Sequence, residues 1–283
     1  MKRIIHFTKM HGAGNDYVYV YTPDFPLEKP EELAIAWSDR HKGIGGDGLI
    51  LIGKSHVADF SMRMFNNDGS EGMMCGNGTR CIAKYVYDNK LTDKTTVTLE
   101  TLSGIKVLHL HVGNDGLVES VTVDMGEPIL SNPQQCATPD GSLHNGVVEA
   151  AGKQYIGTYV CMGNPHFVVF VPKMTDIDLT GEGRALELSP VFPERCNIEF
   201  VEKQTDGALR VRVWERGTGI TQACGTGACA VATAAFLTGH AARESRIIMD
   251  GGELHIEWRE ADNHIYMTGP AATVFEGEIG IEE

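Results

Sequence analysis

Apolar and polar positions alternate over many short stretches of the chain, the pattern of strands with one buried face. These stretches predict strands at residues 3–9, 15–21, 48–53, 58–65, 95–101, 104–112 and 117–124. Apolar positions recur at helical spacing in Gly76–Asn89 and Gly225–Leu237, and more weakly around Leu179–Ser189. Pro30–Arg40 is also helical in pattern, with proline where a first turn tolerates it. Strands therefore dominate, and they do not alternate with helices as in a βαβ series.

A single offset of 149 residues relates the two halves of the sequence without gaps. The matched pairs are Gly14-Asn15 with Gly163-Asn164, Tyr17–Val20 with His166–Val169, Gly48–Ile52 with Asn197–Val201, Ser61–Phe65 with Arg210–Trp214, Cys75–Gly78 with Cys224–Gly227, and Ile105–Val107 with Leu254–Ile256. The alternative is two ordinary α/β domains that are similar by accident. Six ordered matches at one offset favour an internal duplication and predict two similar halves.

The boundary between the halves is predicted from turn residues. Gly126-Glu-Pro interrupts the strand pattern, and one more strand follows Gly269-Pro270, which we expect to return to the first half. The predicted domains are residues 1–125 plus 271–283, which carry Cys75, and residues 126–270, which carry Cys224. Each half is expected to be a set of strands around one buried helix.

Composition narrows the class of protein. The chain has 283 residues with a net charge of −14, which argues against nucleic acid or an anionic membrane as the main partner. It contains no run of about 18 apolar residues, and its basic start lacks the apolar region of a signal peptide. Seven cysteines without a CxxC pair disfavour a disulfide framework and a structural zinc site. We therefore expect a cytoplasmic protein with reduced thiols.

One motif is misleading. Gly43–Gly48 satisfies the G-x-G-x-x-G pattern of dinucleotide-binding proteins. It follows a predicted helix and precedes a predicted strand, which is the reverse of the order such sites need. A glycine-rich turn is the better interpretation.

The two Cys-Gly-x-Gly segments, at Cys75 and Cys224, each precede a predicted helix. Free backbone N–H groups and the helix dipole stabilise anions there, so we expect each thiol to have a lowered pKa. The glycines also allow a carboxylate to approach these N–H groups. The remaining cysteines have no mate at the repeat offset and are expected to be structural: Cys81, Cys136, Cys161, Cys196 and Cys229.

Two equivalent thiols on opposite sides of one carbon suit the inversion of a stereocentre. One removes a proton from one face while the other delivers a proton to the opposite face, and the roles exchange in the reverse direction. Without a cofactor as electron sink, the site must stabilise the carbanionic transition state by charge and positioning. The sequence thus predicts a cofactor-independent amino-acid epimerase with Cys75 and Cys224 as its acid/base pair.

Six motifs together resemble the diaminopimelate epimerase family. They are Met10-His-Gly-Ala-Gly-Asn-Asp, Phe65-Asn-Asn-Asp-Gly-Ser-Glu, Cys75-Gly-Asn-Gly-Thr-Arg-Cys, Gly163-Asn-Pro-His, Trp214-Glu-Arg-Gly and Gln222-Ala-Cys-Gly-Thr-Gly-Ala-Cys. The resemblance implies an isomerase that interconverts LL- and meso-diaminopimelate, on the route to lysine and peptidoglycan, without pyridoxal phosphate or metal. It also implies two pseudo-symmetric α/β domains, each a mixed, largely antiparallel barrel-like sheet around a central helix, and a homodimer.

The resemblance also assigns roles to residues. It makes Cys75 and Cys224 catalytic and implies that His166 and Glu215 adjust their pKa values. The substrate-binding positions it implies are Asn15, Asn66, Gly76, Asn77, Asn164, Asn197, Glu215, Arg216, Gly225 and Thr226.

The repeat gives a physical account of the distal contacts. Asn66 and Glu215 are mates at the 149-residue offset, so symmetric positions carry different residues. Glu215 is suited to accept from an ammonium group, and Arg216 to bind a carboxylate in bidentate fashion. Gly48 stands where some relatives have a substrate-contacting glutamine, so the sequence gives no side-chain contact there.

Two alternatives stay open at this point. A related two-cysteine enzyme of the proline racemase or hydroxyproline epimerase type would leave Asn66, Asn197 and Arg216 without a distal partner. A non-catalytic binding protein of the same fold would have no evident need for cysteine at both mated positions.

Overall fold

The computed structural model describes residues 2–282 and forms two compact units. The first unit runs to Val123 and takes back the segment from Gly269 onward, while the second is Asp124–Thr268. Each is a mixed, largely antiparallel sheet with helices, as the predicted fold class requires. Among residues 2–282, every helix is too short or too polar to cross a membrane.

The first unit is built around the helices α1 (Pro30–Ser38) and α2 (Gly76–Asp88). Its strands are β1 (Lys2–Gly12), β2 (Asn15–Tyr21), β3 (Gly48–Gly53), β4 (Phe60–Asn66), β5 (Glu71–Gly72), β6 (Thr96–Thr101), β7 (Gly104–Val112), β8 (Val118–Asp124) and β18 (Ala272–Glu282). Hydrogen-bonded neighbours follow the order β18, β1, β2, β3, β4, β6, β7, β8, with β5 paired to β4. The β2–β3 and β4–β6 pairs are parallel, and the other pairs in this order are antiparallel.

The second unit repeats this arrangement around α3 (Leu179–Glu187) and α4 (Gly225–Leu237). Its strands are β9 (Gly146–Ala150), β10 (Lys153–Cys161), β11 (Pro165–Phe170), β12 (Asn197–Lys203), β13 (Leu209–Glu215), β14 (Gly219–Ile220), β15 (Glu244–Met249), β16 (Gly252–Trp258) and β17 (Ile265–Pro270), with a short 3-10 helix at Met174–Asp176. Neighbours follow the order β9, β10, β11, β12, β13, β15, β16, β17, with β14 paired to β13. Here β11–β12 and β13–β15 are the parallel pairs.

The 149-residue offset holds for whole elements. α3 begins 149 residues after α1 and both have 9 residues, while α4 begins 149 residues after α2 and both have 13. The parallel pairs also occupy equivalent places in the two sheets. Strands at or next to both ends of each order contact the second helix of the unit, so each sheet curls around that helix.

The uninterrupted apolar run of β3 is explained by helices on both faces of the sheet. Leu49 and Leu51 pack with Ala34 and Trp37 of α1. Ile50 points the other way and meets the first turn of α2. A strand covered on both sides needs apolar side chains at consecutive positions, and this one has them.

In β12 the same arrangement holds with one charged residue. Ile198 and Phe200 pack with Leu179 and Leu186 of α3. Glu199, which lies between them, therefore faces α4, and it is fully buried there.

Several element ends differ from the sequence predictions. The helices expected at Pro30–Arg40 and Leu179–Ser189 each end two residues earlier. At the first of these ends, Asp39 leaves the helical region and its carboxylate accepts from the amides of His41 and Lys42. A short acidic side chain here offers the backbone an alternative to the helix. The strand expected after Pro270 is confirmed as β18, and its pairing with β1 returns it to the first unit.

Candidate active site

Cys75 and Cys224 are the N-cap residues of α2 and α4 and have nearly the same extended backbone, φ −132°, ψ 116° and φ −120°, ψ 112°. Cys75 Sγ accepts from Gly78 N at 3.4 Å, and Cys224 Sγ accepts from Gly227 N at 3.3 Å. Sulfur thus takes the place that a serine or aspartate oxygen usually occupies at an N-cap. The first turns that follow consist of predicted substrate-binding positions: Gly76, Asn77, Gly225 and Thr226. Amides of a first turn have no partner within the helix and suit a carboxylate.

The half-buried thiol of Cys75 donates a hydrogen bond to an asparagine side chain. Its Sγ lies 3.3 Å from Asn15 Oδ1, which also accepts from Asn77 Nδ2 at 3.3 Å. Asn15 Nδ2 donates to Asp47 Oδ2 at 2.7 Å. Two predicted substrate-binding asparagines and the first cysteine are therefore in one hydrogen-bonded cluster.

A charged network fixes Asn15 from behind. Asp47 also accepts from Asp16 N at 3.1 Å, and Asp16 binds Lys9 at 2.7 Å and Arg40 at 2.6 Å. Burial alone would raise the pKa of Asp16, but the hydrogen bonds and charges of Arg40 and Lys9 hold it below its usual range. The Asp47 pKa is raised by burial and by the charge of Asp16. Because the cations compensate the carboxylates, Asn15 has a rigid anchor.

Asn77 is oriented by a fully buried arginine. Arg80 Nη2 donates to Asn77 Oδ1 at 2.7 Å, and Nη1 donates to Gly76 O at 3.2 Å. Its Nε donates to Pro270 O at 3.2 Å, which ties α2 to the segment leading into β18. The guanidinium therefore holds the start of α2 in place.

The buried thiol of Cys224 retains its proton more firmly than an exposed thiol. Burial raises the pKa of Cys224 well above its ordinary value, and the carboxylates of Glu215 and Glu199 raise it further. The hydrogen bond from Gly227 N and the Thr226 hydroxyl 3.5 Å from Sγ act in the opposite direction. The lowered pKa expected from the sequence is wrong for Cys224, because the helix start is desolvated and shared with two carboxylates.

Glu215 is the partly buried end residue of β13. Burial raises its pKa, while the hydrogen bond from Thr221 Oγ1 and the charge of His166 oppose the rise. Its charge in turn contributes to the raised pKa of Cys224. A cation bound at Glu215 would therefore act on the thiol as well.

Asn164, His166 and Glu199 form a hydrogen-bonded chain in the second unit. His166 and Glu199 are fully buried, with Nδ1 and Oε1 2.7 Å apart. His166 Nε2 is 3.0 Å from Asn164 Oδ1. The chain connects a buried carboxylate to a predicted substrate-binding asparagine.

Asn197 and Arg216 are connected through the backbone. Asn197 is buried; its Nδ2 donates to Pro165 O at 2.8 Å, and its Oδ1 accepts from Arg216 N at 2.9 Å. The exposed Arg216 side chain donates to Glu194 O at 2.9 Å. With both amide groups bonded to backbone, Asn197 is placed to shape the turn that presents Arg216.

Asn66 and Gly48 are two further positions of the first unit that the sequence analysis considered for substrate contact. Asn66, at the end of β4, is half-buried and donates to Ser70 Oγ at 3.0 Å. At Gly48 a Cβ atom would lie 2.1 Å from Phe65 O and 2.8 Å from Tyr17 Cε1. Any side chain at Gly48 would require the strand pair to shift, so this chain has no room for a glutamine at that position.

Sequence reasoning missed Asp47, Arg80 and Glu199. Glu199 had a visible signal, because the repeat aligns it with Ile50 inside an apolar strand. Asp47 lay in the glycine-rich segment interpreted only as a turn, and Arg80 occupies a helical position whose burial the pattern does not show. Among residues 2–282, no group of three or more His, Cys, Asp or Glu side chains is arranged to hold a metal ion.

The sequence matches a known family over most of its length. The model of the diaminopimelate epimerase family covers residues 7–131 and 158–274. The chain is 61% identical to the diaminopimelate epimerase of Phocaeicola vulgatus over 279 residues, which is 99% of each chain. The chain belongs to the diaminopimelate epimerase family. Both cysteine caps and the residues around them lie within the matched segments.

Solved structures similar to this family member share its fold at low identity. A phenazine biosynthesis protein of the PhzF family from Bacillus anthracis has a TM-score of 0.72 and 17% identity, covering 98% of this chain and 99% of that one. A hydroxyproline epimerase from Agrobacterium vitis has a TM-score of 0.68 and 17% identity, covering 100% and 95%. At such identity the likeness concerns the fold alone.

Proposed function

We propose that the chain interconverts LL- and meso-diaminopimelate, with Cys75 and Cys224 as catalytic cysteines. The observation that carries the proposal is the pair of sulfur caps with the same geometry at mated helices of a diaminopimelate epimerase family member. The product serves the route to lysine and to peptidoglycan. Pyridoxal phosphate is not needed, since the residues themselves supply acid, base and anion binding.

The proposed reaction is a two-base proton transfer at one α-carbon. One sulfur, as thiolate, takes the α-proton, and the other, as thiol, delivers its proton to the opposite face, so the two exchange protonation states in each turnover. First-turn amides of α2 and α4 bind the reacting carboxylate and stabilise the charge that develops on it. Since burial and two carboxylates keep the Cys224 proton in place, we propose Cys224 as the resting thiol. The Cys75 thiol donates to Asn15 Oδ1, so it must lose its proton to solvent before it acts as the base.

The remaining predicted positions are proposed to bind the substrate's polar groups. Glu215 accepts from an ammonium group, and Arg216 binds the distal carboxylate. An ammonium at Glu215 offsets the charge that raises the pKa of Cys224, which eases formation of a thiolate there in the reverse direction. Asn15, Asn66, Asn77, Asn164 and Asn197 supply donors and acceptors, Asn197 chiefly by holding the turn at Arg216.

The test uses LL-diaminopimelate in D₂O, with exchange followed by NMR and isomer composition by chiral chromatography. We expect deuterium at one α-carbon of each product molecule and loss of epimerisation in Cys75→Ala and Cys224→Ala. Matched controls are Cys81→Ala and Cys229→Ala, buried cysteines of the same two helices, which should stay active. Full activity in either catalytic variant would refute the proposal. Turnover of proline instead of diaminopimelate would favour the proline racemase type.

The compartment and the oligomeric state are proposed on separate grounds. The reaction needs two reduced thiols, which favours the cytoplasm. A homodimer is supported by exposed apolar side chains on the paired strands β1 and β18, namely Ile4, Val274 and Phe275. Sedimentation equilibrium at micromolar concentration tests the dimer, and a monomer mass would contradict it.

A further inference from the structure

The helices α2 and α4, which follow the two cysteines, contact different residues at Gly78 and at its mate Gly227. A Cβ atom at Gly78 would lie 2.7 Å from Ile50 Cδ1, and a Cβ atom at Gly227 would lie 2.7 Å from Glu199 Oε1. Ile50 and Glu199 are mates at the 149-residue offset, as are Gly78 and Gly227. The repeat therefore places a carboxylate beside α4 where it places an aliphatic side chain beside α2.

The surroundings of Glu199 indicate a role other than stabilising the fold. It is fully buried, and its Oε2 atom has no hydrogen-bond partner among residues 2–282. Burying a carboxyl group with one oxygen unpaired costs free energy, and the mated position shows that isoleucine fits the same fold. An unsatisfied buried polar atom of this kind calls for a functional explanation.

The hydrogen bonds of His166 give that explanation. Asn164 Oδ1 only accepts, so His166 Nε2 carries a hydrogen, and Nδ1 shares one further proton with Glu199 Oε1. Glu199 thus fixes the ring orientation of His166 and directs the Nε2 hydrogen to Asn164. With its oxygen held by His166, Asn164 has its Nδ2 group without a partner among residues 2–282 and available as a donor.

The first unit treats its equivalent asparagine differently. The mates of His166 and Glu199 are Tyr17 and Ile50. Asn15, the mate of Asn164, has its oxygen bonded to Cys75 and Asn77 and one of its two Nδ2 hydrogens bonded to Asp47. The chain of side chains that ends in Glu199 therefore holds Asn164 by its oxygen and leaves both Nδ2 hydrogens to a ligand, whereas Asn15 has one left.

We propose that Glu199 is a positioning residue: through His166 it holds the oxygen of Asn164, so that Asn164 Nδ2 donates to an acceptor oxygen of the substrate. The inference rests on the proposed function and specifies one contact within it. Glu199 itself does not touch the substrate. Loss of the chain should weaken substrate binding without removing either thiol.

The experiment compares Glu199→Ile, which installs the residue of the first unit, with the conservative Glu199→Gln. In Glu199→Gln the new side-chain amide donates to His166 Nδ1 and Nε2 keeps its hydrogen, so we expect KM within about threefold of the native chain. In Glu199→Ile the KM should rise about tenfold, the value of one hydrogen bond. Both variants remove the charge that raises the pKa of Cys224, so kcat should be alike in the two while KM differs. Ile50→Val serves as the matched control at the mated position and should keep the native KM.

A second readout is independent of turnover. Imidazole ¹⁵N NMR reports which nitrogens of His166 carry a hydrogen. We expect Nε2 to carry one throughout the population in the native chain and in Glu199→Gln, whereas Glu199→Ile should show a mixture of tautomers. If Glu199→Ile does not fold, the double variant His166→Tyr, Glu199→Ile restores the residue pair of the first unit and should show the same rise in KM. An unchanged KM in either isoleucine variant, or full retention of the Nε2 hydrogen of His166 in Glu199→Ile, overturns the proposal. Absence of epimerisation in the native chain would instead refute the proposed function and leave the tautomer test intact.

Discussion

Two cysteines with the same backbone geometry lie in different electrostatic surroundings. Cys75 is half-buried and has an asparagine oxygen 3.3 Å away, while Cys224 is buried near Glu215 and Glu199. The helix dipole favours an anion at both. At Cys224, however, desolvation and two like charges outweigh it, so the direction of the pKa shift is set by the surroundings rather than by the cap.

Neutralising one of those charges should make Cys224 more reactive. The thiolate is the nucleophile, so a raised pKa slows alkylation at a given pH. In Glu215→Gln one negative charge is removed, the pKa of Cys224 falls, and the rise of alkylation rate with pH should begin at lower pH. Iodoacetamide labelling, quantified by mass spectrometry of the Cys224 peptide across a pH series, measures this shift. Glu149→Gln, at an exposed position, is the control. If the alkylation rate of Cys224 depends on pH in the same way in Glu215→Gln and in the native chain, the charge of Glu215 does not raise the Cys224 pKa.

Residue patterns located the cysteines but not their supporting side chains. Cys75 and Cys224 were found because the duplication marks them as mates, which is a property of the sequence alone. Glu199, Arg80 and Asp47 act through hydrogen bonds to residues up to 190 positions away, as Arg80 does to Pro270. Burial and partners at such separation depend on the tertiary fold, so no local pattern shows them.

At the scale of elements, hydrophobic periodicity was a good guide. α2 and α4 lie within or on their predicted ranges, α2 with one apolar face and α4 with an alanine-rich sequence that is buried on nearly every side. The two-residue strands β5 and β14 were missed, since each is too short to show alternation and exists only by pairing with the preceding strand. Helix ends shifted where a side chain offered the backbone a competing bond, as Asp39 does.

The sulfur caps predict a difference between serine and alanine at Cys75. Serine restores an N-cap acceptor for Gly78 N, whereas alanine removes it and should lower the free energy of unfolding by about 1 kcal/mol. Urea unfolding followed by circular dichroism measures the difference, and both variants should lack epimerase activity because neither supplies a thiol. Cys81, fully buried within α2, is the control position, where serine should gain nothing over alanine. Equal stability of Cys75→Ser and Cys75→Ala would show that the cap contributes nothing.

At the scale of the whole molecule, the two units complete their sheets by different routes. In the second unit β9 joins β10 through a short hairpin, so the strand beside β10 is its immediate neighbour in sequence. In the first unit the equivalent place beside β1 is taken by β18, the last strand of the chain. The first unit therefore depends on a pairing between the two ends of the sequence, which the second does not need.

Removal of residues 271–283 should consequently destabilise the first unit alone. β1 loses its partner along Lys2–His11, and Phe7 loses its edge contact with Phe275. The core also loses Ile279 and Ile281, and burial of each of these two side chains contributes up to about 1.5–3 kcal/mol to the free energy of unfolding. Hydrogen exchange measured by mass spectrometry should show protection lost in β1 and β2 but retained in β10–β13. Exposed Glu278→Gln, which keeps the strand, should leave both units protected. Equal loss in both units would mean that the second also requires β18, and unchanged protection of β1 would mean that the end-to-end pairing adds no stability.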